Sequence, residues 1–306
     1  MGKKAENTVK PSISLMLIDG ESLVHRAYYA YSNGDRALKT ADGRLSGGFY
    51  GFFSMLLTRL RRYKPTRFTV CWGDRRSNLH RLKLCPEYKS NRGSKPLDLV
   101  TQMNDVKLAL LWMGVEQYWS DGYEGDDVIA FLSSAFLKNA TPESKLIVVT
   151  SDKDMLQLVC DRLMVLSPGN SGDVEFTPKK VIEKFSVKPE FIPDYLTLVG
   201  DESDGIMGVK GVGDVTAWNL LNEYGPIKQW FNTIEDLPVL PHIKKSLLES
   251  REVMVRNKKL ISLKNVNLEL REVDDLEGDF TCADDVFDRY DMKKTRPSDF
   301  SEFIPT

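Results

Sequence analysis

KLIVVTSDKDML, residues 145–156, begins with a short apolar run rich in β-branched residues and continues directly into two acids. A run of this kind, bounded by polar residues, predicts a buried β-strand of about six residues. Asp152 and Asp154 follow the predicted strand within four residues of its end. Open α/β sheets bind ligands beyond the carboxyl ends of their parallel strands. The stretch therefore predicts an acidic site at the edge of such a sheet.

Two further predicted strands end in the same way. Asp19 directly follows ISLMLI (13–18), and Asp74 follows RFTVCW (67–72) after one glycine. Helical patterns separate the strands, and after residue 177 the sequence indicates mostly helices with Gly and Pro breaks. This alternation predicts an α/β fold with a mainly parallel central sheet flanked by helices. A single acid is more often a helix cap or a surface group, but three agreeing strand ends favour a ligand site.

Other acids cluster in two motifs, YEGDDVIA (123–130) and GDESDG (200–205). Like charges brought together raise one another's pKa unless cations join them. All the donors are oxygens without a nearby Cys or His, which favours Mg²⁺ or Mn²⁺, and their number favours two ions for phosphodiester hydrolysis. The predicted metal residues are Asp19, Asp74, Glu124, Asp126, Asp127, Asp152, Asp154, Asp201 and Asp204.

Composition excludes several classes of protein. The chain has 306 residues, a net charge of −2, four scattered cysteines without a CxxC pair, and three widely separated histidines. This pattern argues against a disulfide framework and against a Cys- or His-based zinc site. Residues 1–12 are predicted to be flexible and lack the apolar core of a signal peptide, and no apolar run reaches the length of a membrane span. The expected location is cytoplasmic, without a membrane partner.

Charge is unevenly distributed along the chain. Residues 59–95 contain twelve Lys or Arg against two acids, whereas 272–302 contain eleven acids against four bases. The common explanation of such runs is a solvated face. In the basic stretch, LHRLKLCPEYKSNRGSKP (79–96) favours a short amphipathic helix and loop over a disordered tail. An acidic stretch repels phosphate groups, so in a chain that binds nucleic acid it is expected to lie away from the bound strand. Truncation after Leu270 should then not weaken that binding unless the aromatic residues of the stretch cover the core.

A glycine-rich run, GIMGVKGVGDVTAWNLL (205–221), lies between two helical patterns. A helix–hairpin–helix of this kind presents backbone N–H groups and a helix N-terminus to phosphate. The alternative is a tight turn between two packed helices, and the run alone does not decide between them.

Five motifs together resemble the signatures of the 5′-nuclease (flap endonuclease) superfamily. The resemblance extends from about residue 13 to 270 and is greatest to the 5′→3′ exonuclease domain of bacterial DNA polymerase I and to free-standing phage 5′ nucleases. In order, the motifs are LIDGESLVHRAYYAY (17–31), EYKSNR (87–92), GYEGDDVIA (122–130), TSDKDMLQLV (150–159) and GDESDGIMGVKGVG (200–213).

The resemblance implies a structure-specific 5′ nuclease, with 5′→3′ exonuclease and flap endonuclease activity, for DNA replication or repair. It would act as a monomer, in a bacterial cell or a phage-infected host, on DNA with a 5′ flap, a nick or an RNA or DNA 5′ end. Because the sequence ends at Thr306, we expect it to act apart from a polymerase domain. The first metal region would comprise Asp19, Asp74, Glu124, Asp126 and Asp127; the second, Asp152, Asp154 and Asp201, with Asp204 close by.

The same resemblance assigns catalytic and DNA-binding roles. Arg81, Lys89 and Arg92 would lie at the base of a helical arch, with Lys89 near the scissile phosphate and Tyr88 stacked on a base. The hairpin would be a helix–three-turn–helix over about 191–224 that grips duplex DNA and, as in relatives, holds K⁺. Its binding residues would be Gly208, Lys210, Gly211 and Gly213. Three positions depart from the family pattern: Gly205, Met207 and Val215 stand where relatives often have Asn, Pro and Lys.

The predicted organisation is a nuclease core over 13–177 that includes the arch region 75–97, a helical DNA-binding subdomain over 178–270, and an acidic segment over 271–306. Two other functions stay open at this point. One is a non-catalytic DNA-junction-binding protein of the same fold. The other is a small-molecule phosphohydrolase, which would need neither the basic segment nor the hairpin.

Overall fold

The computed structural model describes residues 13–32, 37–169, 172–263, 268–274, 276, 278 and 280–304, so the predicted flexible segment 1–12 lies outside the described residues. A seven-stranded sheet has the order β6-β5-β4-β1-β2-β3-β9, and β7 pairs with β8 in a separate small hairpin. The strands are β1 Ile13–Asp19, β2 Arg67–Cys71, β3 Gln117–Trp119, β4 Lys145–Val149, β5 Leu163–Ser167, β6 Val174–Phe176, β7 Gly200–Asp201, β8 Ile206–Met207 and β9 Arg271–Glu272.

The five central strands run parallel, which confirms the predicted sheet. Asp19 at the end of β1 lies opposite Cys71 at the end of β2, and Ile18 lies opposite Val149 at the end of β4. The residues that follow these three strands therefore meet at one edge. The outermost strands, β6 and β9, run antiparallel to their neighbours. After residue 177 the described chain is mostly helical, as predicted. The exceptions are β7, β8 and β9, which have two residues each and are too short for periodicity to reveal.

Helices cover both faces of the sheet. Residues of β1 alternate between two cores, with Leu15 and Leu17 on one side and Met16 and Ile18 on the other. The helices are α1 Gly20–Tyr31, α2 Gly47–Tyr63, α3 Arg81–Leu84, α4 Leu97–Trp112, α5 Gly125–Asn139, α6 Pro178–Phe185, α7 Ile192–Val199, α8 Asp214–Tyr224, α9 Ile227–Trp230, α10 Pro241–Glu249, α11 Arg251–Ile261 and α12 Ala283–Arg289. Among the described residues, no helix is both long and apolar enough to cross a membrane.

The segment predicted to form an arch is short and packed on the core. Between residues 75 and 97 it contains one turn of 3₁₀ helix, Arg76–Asn78, and the four-residue α3. Leu79, Cys85 and Tyr88 from this segment are buried in the larger core. Their burial brings the basic side chains of the segment toward the edge of the sheet.

The acidic C-terminal segment contributes to the second core. Phe287 and Phe300 are fully buried there, and the ring of Tyr290 stacks on Phe49 at 4.2 Å between centroids. The acids of α12 face outward while its apolar side chains pack against α2 and α4. The aromatic residues of this segment therefore do cover the core. Because cutting after Leu270 would remove them, the prediction of a harmless truncation does not apply.

Phe287→Ala should lower the free energy of unfolding by about 3–5 kcal/mol, because it removes a fully buried aromatic ring. Phe280→Ala is the matched control, since Phe280 is only partly buried in the same segment. Urea unfolding of both variants measures the difference. Equal losses of stability in the two variants would contradict the role given to α12.

Candidate active site

Asp19 connects the ends of two neighbouring strands. As the N-cap of α1 it accepts a hydrogen bond from the Ser22 amide at 3.0 Å, and its other oxygen accepts one from the Thr150 hydroxyl at 2.7 Å. The Thr150 hydroxyl also accepts a hydrogen bond from the Asp152 amide at 3.1 Å. Burial raises the pKa of Asp19 to about 6, and the nearby charge of Asp152 adds to the increase. Thr150, which sequence analysis missed, thus links the acids of β1 and β4.

Asp126 and Asp152 lie near enough to Asp19 for the charges of these acids to raise one another's pKa. Asp126 lies in the first turn of α5. Removal from water raises its pKa well above the ordinary value, and the charges of Asp152 and Asp19 act in the same direction. Burial likewise raises the pKa of Asp152. We call Asp19, Asp126 and Asp152 the first acid cluster; mutual repulsion of this kind is relieved by a bound cation.

Asp154, Asp201 and Asp204 form a second acid cluster. Each offers one carboxylate oxygen, and these oxygens lie within 4.8 Å of one another. Burial raises the pKa of Asp154 well above its ordinary value, with Asp152 and Asp201 next in effect. Asp154 Oδ1 is buried without a hydrogen-bond partner. Three buried carboxylates with an unsatisfied oxygen fit a hard divalent cation, which prefers oxygen ligands.

A tight hairpin holds two of these acids. Asp201 ends β7, Ile206 begins β8, and the two residues pair across the hairpin. The Asp201 carboxylate accepts hydrogen bonds from the Ser203 amide at 3.0 Å and the Ser203 hydroxyl at 2.7 Å. Gly205 completes the turn with φ +70°, a conformation that Gly and Asn tolerate best. Glycine at position 205, where relatives often have Asn, therefore preserves the turn.

Lys89 lies between the acids of α5 and the second cluster. It is buried, forms an ion pair with Glu124, and places its Nζ 3.6 Å from Asp204 Oδ2. Burial alone would lower the pKa of Lys89, but the Glu124 and Asp204 carboxylates outweigh this and raise it. The Lys89 amide also donates to the Asp204 carbonyl at 2.9 Å. Lys89 is therefore fixed as a cation beside the second cluster.

Two other cations lie near this cluster. The Arg92 guanidinium, which is about half exposed, lies 2.5 Å from Asp204 Oδ1. Lys153 Nζ lies 3.1 Å from Asp201 Oδ1. Sequence analysis missed Lys153, although its position between Asp152 and Asp154 was a signal. Together with Lys89 they surround the second cluster with positive charge.

Asp127 and Asp74 stabilise the loops that carry the site. Arg81 pairs with both oxygens of Asp127 and also reaches Glu124 Oε2 at 3.0 Å. Asp127 further accepts from the Glu124 amide at 3.1 Å, within the capping box of α5. Asp74 accepts hydrogen bonds from the amides of its own loop and from Gly122 at 2.8 Å. These contacts give both acids a structural role, and their role as metal ligands stays a prediction.

Tyr88 has a different position from the one predicted. It is 3% exposed, and its hydroxyl donates to Glu124 Oε2 at 2.9 Å or Asp204 Oδ2 at 3.1 Å. In this arrangement the ring presents no exposed face to a base, and the stacking role stays a prediction. Tyr88 instead joins the two acids that also contact Lys89.

The glycine-rich hairpin is both packed and exposed. A Cβ at Gly208 would lie 2.4 Å from the Leu198 carbonyl oxygen, so only glycine allows this close approach to α7. Val209 and Val212 are buried, whereas Lys210, Gly211 and Gly213 are exposed at the tip before α8. The hairpin is therefore a tight turn packed against α7 with an exposed tip, and its contact with phosphate stays a prediction. Val215 is 60% exposed in the first turn of α8, so it is not a core residue.

Two models of one protein family match adjacent parts of this chain. The family described as 5'-3' exonuclease, N-terminal resolvase-like domain matches residues 14–186, and the family described as 5'-3' exonuclease, C-terminal SAM fold matches 187–279. The chain belongs to the 5′-3′ exonuclease family. The resemblance identified from the five sequence motifs is confirmed, as is the α/β fold followed by a helical domain.

Individual 5′-3′ exonuclease relatives agree with this assignment. A 5'-3' exonuclease of Aquifex aeolicus is 35% identical over 244 residues, covering 79% of this chain and 81% of the relative. DNA polymerase I of Mycobacterium bovis is 36% identical over 85% of this chain, but the chain spans only 28% of that protein. A crystal structure of the bacteriophage T5 flap endonuclease with DNA and metal ions shares the fold, with a TM-score of 0.65, 21% identity, and coverage of 82% of this chain and 89% of that one.

Proposed function

We propose that this 5′-3′ exonuclease family member is a structure-specific 5′ nuclease that hydrolyses phosphodiester bonds in branched or nicked DNA. The observation that carries the proposal is the second acid cluster, with its unpaired Asp154 oxygen, beside the fixed cation Lys89. Carboxylates for a metal and a cation for a phosphate are the groups that phosphodiester hydrolysis requires.

Two divalent ions, Mg²⁺ or Mn²⁺, are proposed as cofactors. Asp154, Asp201 and Asp204 would hold one ion, and Asp19, Asp126 and Asp152 would hold the other. Ions bound there would lower the pKa of a coordinated water and stabilise charge on the attacking and leaving oxygens. Glu124 forms ion pairs with Lys89 and Arg81 and accepts a hydrogen bond from Tyr88. It would orient these side chains rather than bind an ion directly.

The chain's own cations would act on the phosphate. Lys89 lies within reach of both α5 and the second cluster, so a phosphate bound to the metals would meet its ammonium group. Arg92 is more exposed and can exchange its contact with Asp204 for a phosphate oxygen. Positive charge placed there stabilises negative charge that develops during hydrolysis. Arg81 is buried and paired, so its role would be to hold Asp127 and Glu124.

The proposed partner is DNA with a 5′ flap, a nick or an RNA or DNA 5′ end, bound by a monomer in the cytoplasm of a bacterial or phage-infected cell. The exposed hairpin tip would contact the duplex backbone, with K⁺ held on its carbonyls. The T5 endonuclease structure, which contains DNA and metal ions, supports the partner class. The predicted domain boundaries at residues 177 and 270 stay predictions.

Incubating the protein with a labelled 5′-flap duplex tests the proposal. Cleavage near the single-strand/double-strand junction in Mg²⁺, and none with chelator, is expected. A small-molecule phosphohydrolase would leave the duplex intact. Tight binding to the flap without cleavage, in the presence of metal, would instead establish the non-catalytic junction binder.

Val215→Lys should strengthen duplex binding, because an exposed lysine in the first turn of α8 can reach a phosphate next to the hairpin. One additional neutralised phosphate makes the slope of log binding constant against log salt steeper by about 0.9. Val255→Lys, also at a partly exposed valine, is the control for added charge outside the hairpin. Titrations at several salt concentrations measure both. Equal slopes in the two variants would show that the hairpin does not bind the duplex.

A further inference from the structure

Hydrogen bonds connect helix α11 to the residue before the glycine-rich hairpin and to the turn that carries Asp154. It packs against α7 on one side and α3 on another. Its last turn receives a hydrogen bond from Arg81 Nε to the Leu260 carbonyl at 2.7 Å. Two buried amide side chains, Gln157 and Asn257, add further hydrogen bonds between α11 and its neighbours.

Gln157 connects the second acid cluster to the end of α11. Its side chain is buried, and its Nε2 donates to the Asp154 carbonyl at 2.8 Å and to the Ile261 carbonyl at 3.0 Å. Its Oε1 accepts from the Leu263 amide at 3.0 Å. The nitrogen and the oxygen of this amide are thus both used to fix the backbone of Asp154 relative to α11. The orientation of the Asp154 carboxylate depends on that backbone.

Asn257, a residue of α11, connects this helix to the residue before the glycine-rich hairpin. It is fully buried, and its Nδ2 donates to the Met207 carbonyl at 2.8 Å and to the Thr197 carbonyl at 3.3 Å. Met207 is the residue before Gly208, at which the chain passes close to α7. Asn257 therefore fixes the entry of the hairpin against both α7 and α11.

We propose that Gln157 and Asn257 are positioning residues. Gln157 attaches the turn that carries Asp154 to helix α11, and Asn257 attaches the glycine-rich hairpin to the same helix. The proposal rests on the proposed function and identifies which side chains set the metal and DNA sites. Gln157 acts through Asp154 and so sets metal affinity. Asn257 acts through the backbone of Met207 and so sets duplex affinity.

Gln157→Met and Asn257→Leu test this division, because each keeps the side chain's approximate size and removes its hydrogen bonds. Gln102→Met is the matched control: Gln102 is also a buried glutamine that accepts a backbone hydrogen bond, from Phe49 at 3.0 Å, but it lies beside the second core. Mn²⁺ binding is measured by calorimetry without DNA. Binding of a nicked duplex is measured with chelator, so that the two readouts are independent of cleavage.

Gln157→Met should weaken Mn²⁺ binding roughly tenfold, the effect typical of residues that orient metal ligands, and leave duplex affinity within about twofold of the parent. Asn257→Leu should weaken duplex binding roughly fivefold, the equivalent of one typical hydrogen bond. Its effect on Mn²⁺ binding should be smaller than that of Gln157→Met, although Met207 also pairs with Gly200 next to Asp201. Gln102→Met should change neither. Thermal melts show whether the variants are folded, and Gln157→Asn, which keeps the amide but shortens its reach, replaces Gln157→Met if that variant does not fold.

The inference is overturned if both variants lower the two affinities equally, or if Gln102→Met has the same effects, because general loss of packing would then explain them. Parent affinity for Mn²⁺ in folded Gln157→Met also overturns it. A parent protein that binds Mn²⁺ but cuts no flap DNA would contradict the proposed function while leaving the metal-affinity comparison intact.

Discussion

Asp154→Asn should reduce cleavage of a 5′-flap duplex by about 10³-fold or more, while duplex binding in chelator stays close to that of the parent. The substitution keeps the shape of the side chain but removes the charge of an oxygen that is buried and unpaired. Single electrostatic groups in active sites are worth roughly 10²–10³ in rate, and a metal ligand also fixes the position of the ion. Single-turnover cleavage and equilibrium binding measure the two effects. Asp161→Asn, at an exposed acid outside both clusters, is the control.

The same variant should not be destabilised without metal. Because burial raises the pKa of Asp154, this acid costs folding free energy at a pH above its raised pKa. That cost decreases as the pH falls below the raised pKa and is gone below the ordinary pKa that the group has in the unfolded chain. Asparagine removes the cost, so the melting temperature in chelator should equal or exceed that of the parent. A large loss of stability together with unchanged turnover would show that Asp154 is a structural residue.

Lys89→Met should reduce the single-turnover rate by roughly 10²–10³ and affinity much less, because the buried ammonium group acts on charge that develops at the phosphate. The alternative explanation of the basic stretch, a lysine on a solvated face, does not fit its burial or its contacts with Glu124 and Asp204. Lys83→Met removes an equal charge from an exposed position in the same segment and is the matched control. A rate within about twofold of the parent in Lys89→Met would contradict its catalytic role.

Local patterns were sufficient to predict the sheet and the acids at its edge. Asp19 and Asp152 follow apolar runs whose period and length indicate strands, and parallel strands place their ends together. The family resemblance further implied a second metal region of Asp152, Asp154 and Asp201 with Asp204 close by, and the structure places Asp154, Asp201 and Asp204 in one cluster.

Pairing between distant residues was not predictable from such patterns. Nothing local indicates that Asp127 is engaged by Arg81, 46 positions away, or that Gln157 reaches Leu263. The burial of Tyr88 was not predictable for the same reason, since it depends on contacts with Glu124 and Asp204. In the C-terminal segment, charge dominated the composition and concealed the apolar side of α12, where Phe287 is buried.

The dependence of flap cleavage on Mn²⁺ concentration tests the central claim most directly. With enzyme in excess over a 5′-labelled flap duplex, the rate should rise with more than first-order dependence on Mn²⁺ at low concentration, because the proposed mechanism requires one ion in each of the two acid clusters. It should then reach a plateau and fall to background when chelator is added. Cleavage that persists in chelator, or the absence of cleavage at every Mn²⁺ concentration by protein that binds the duplex, would contradict a two-metal nuclease.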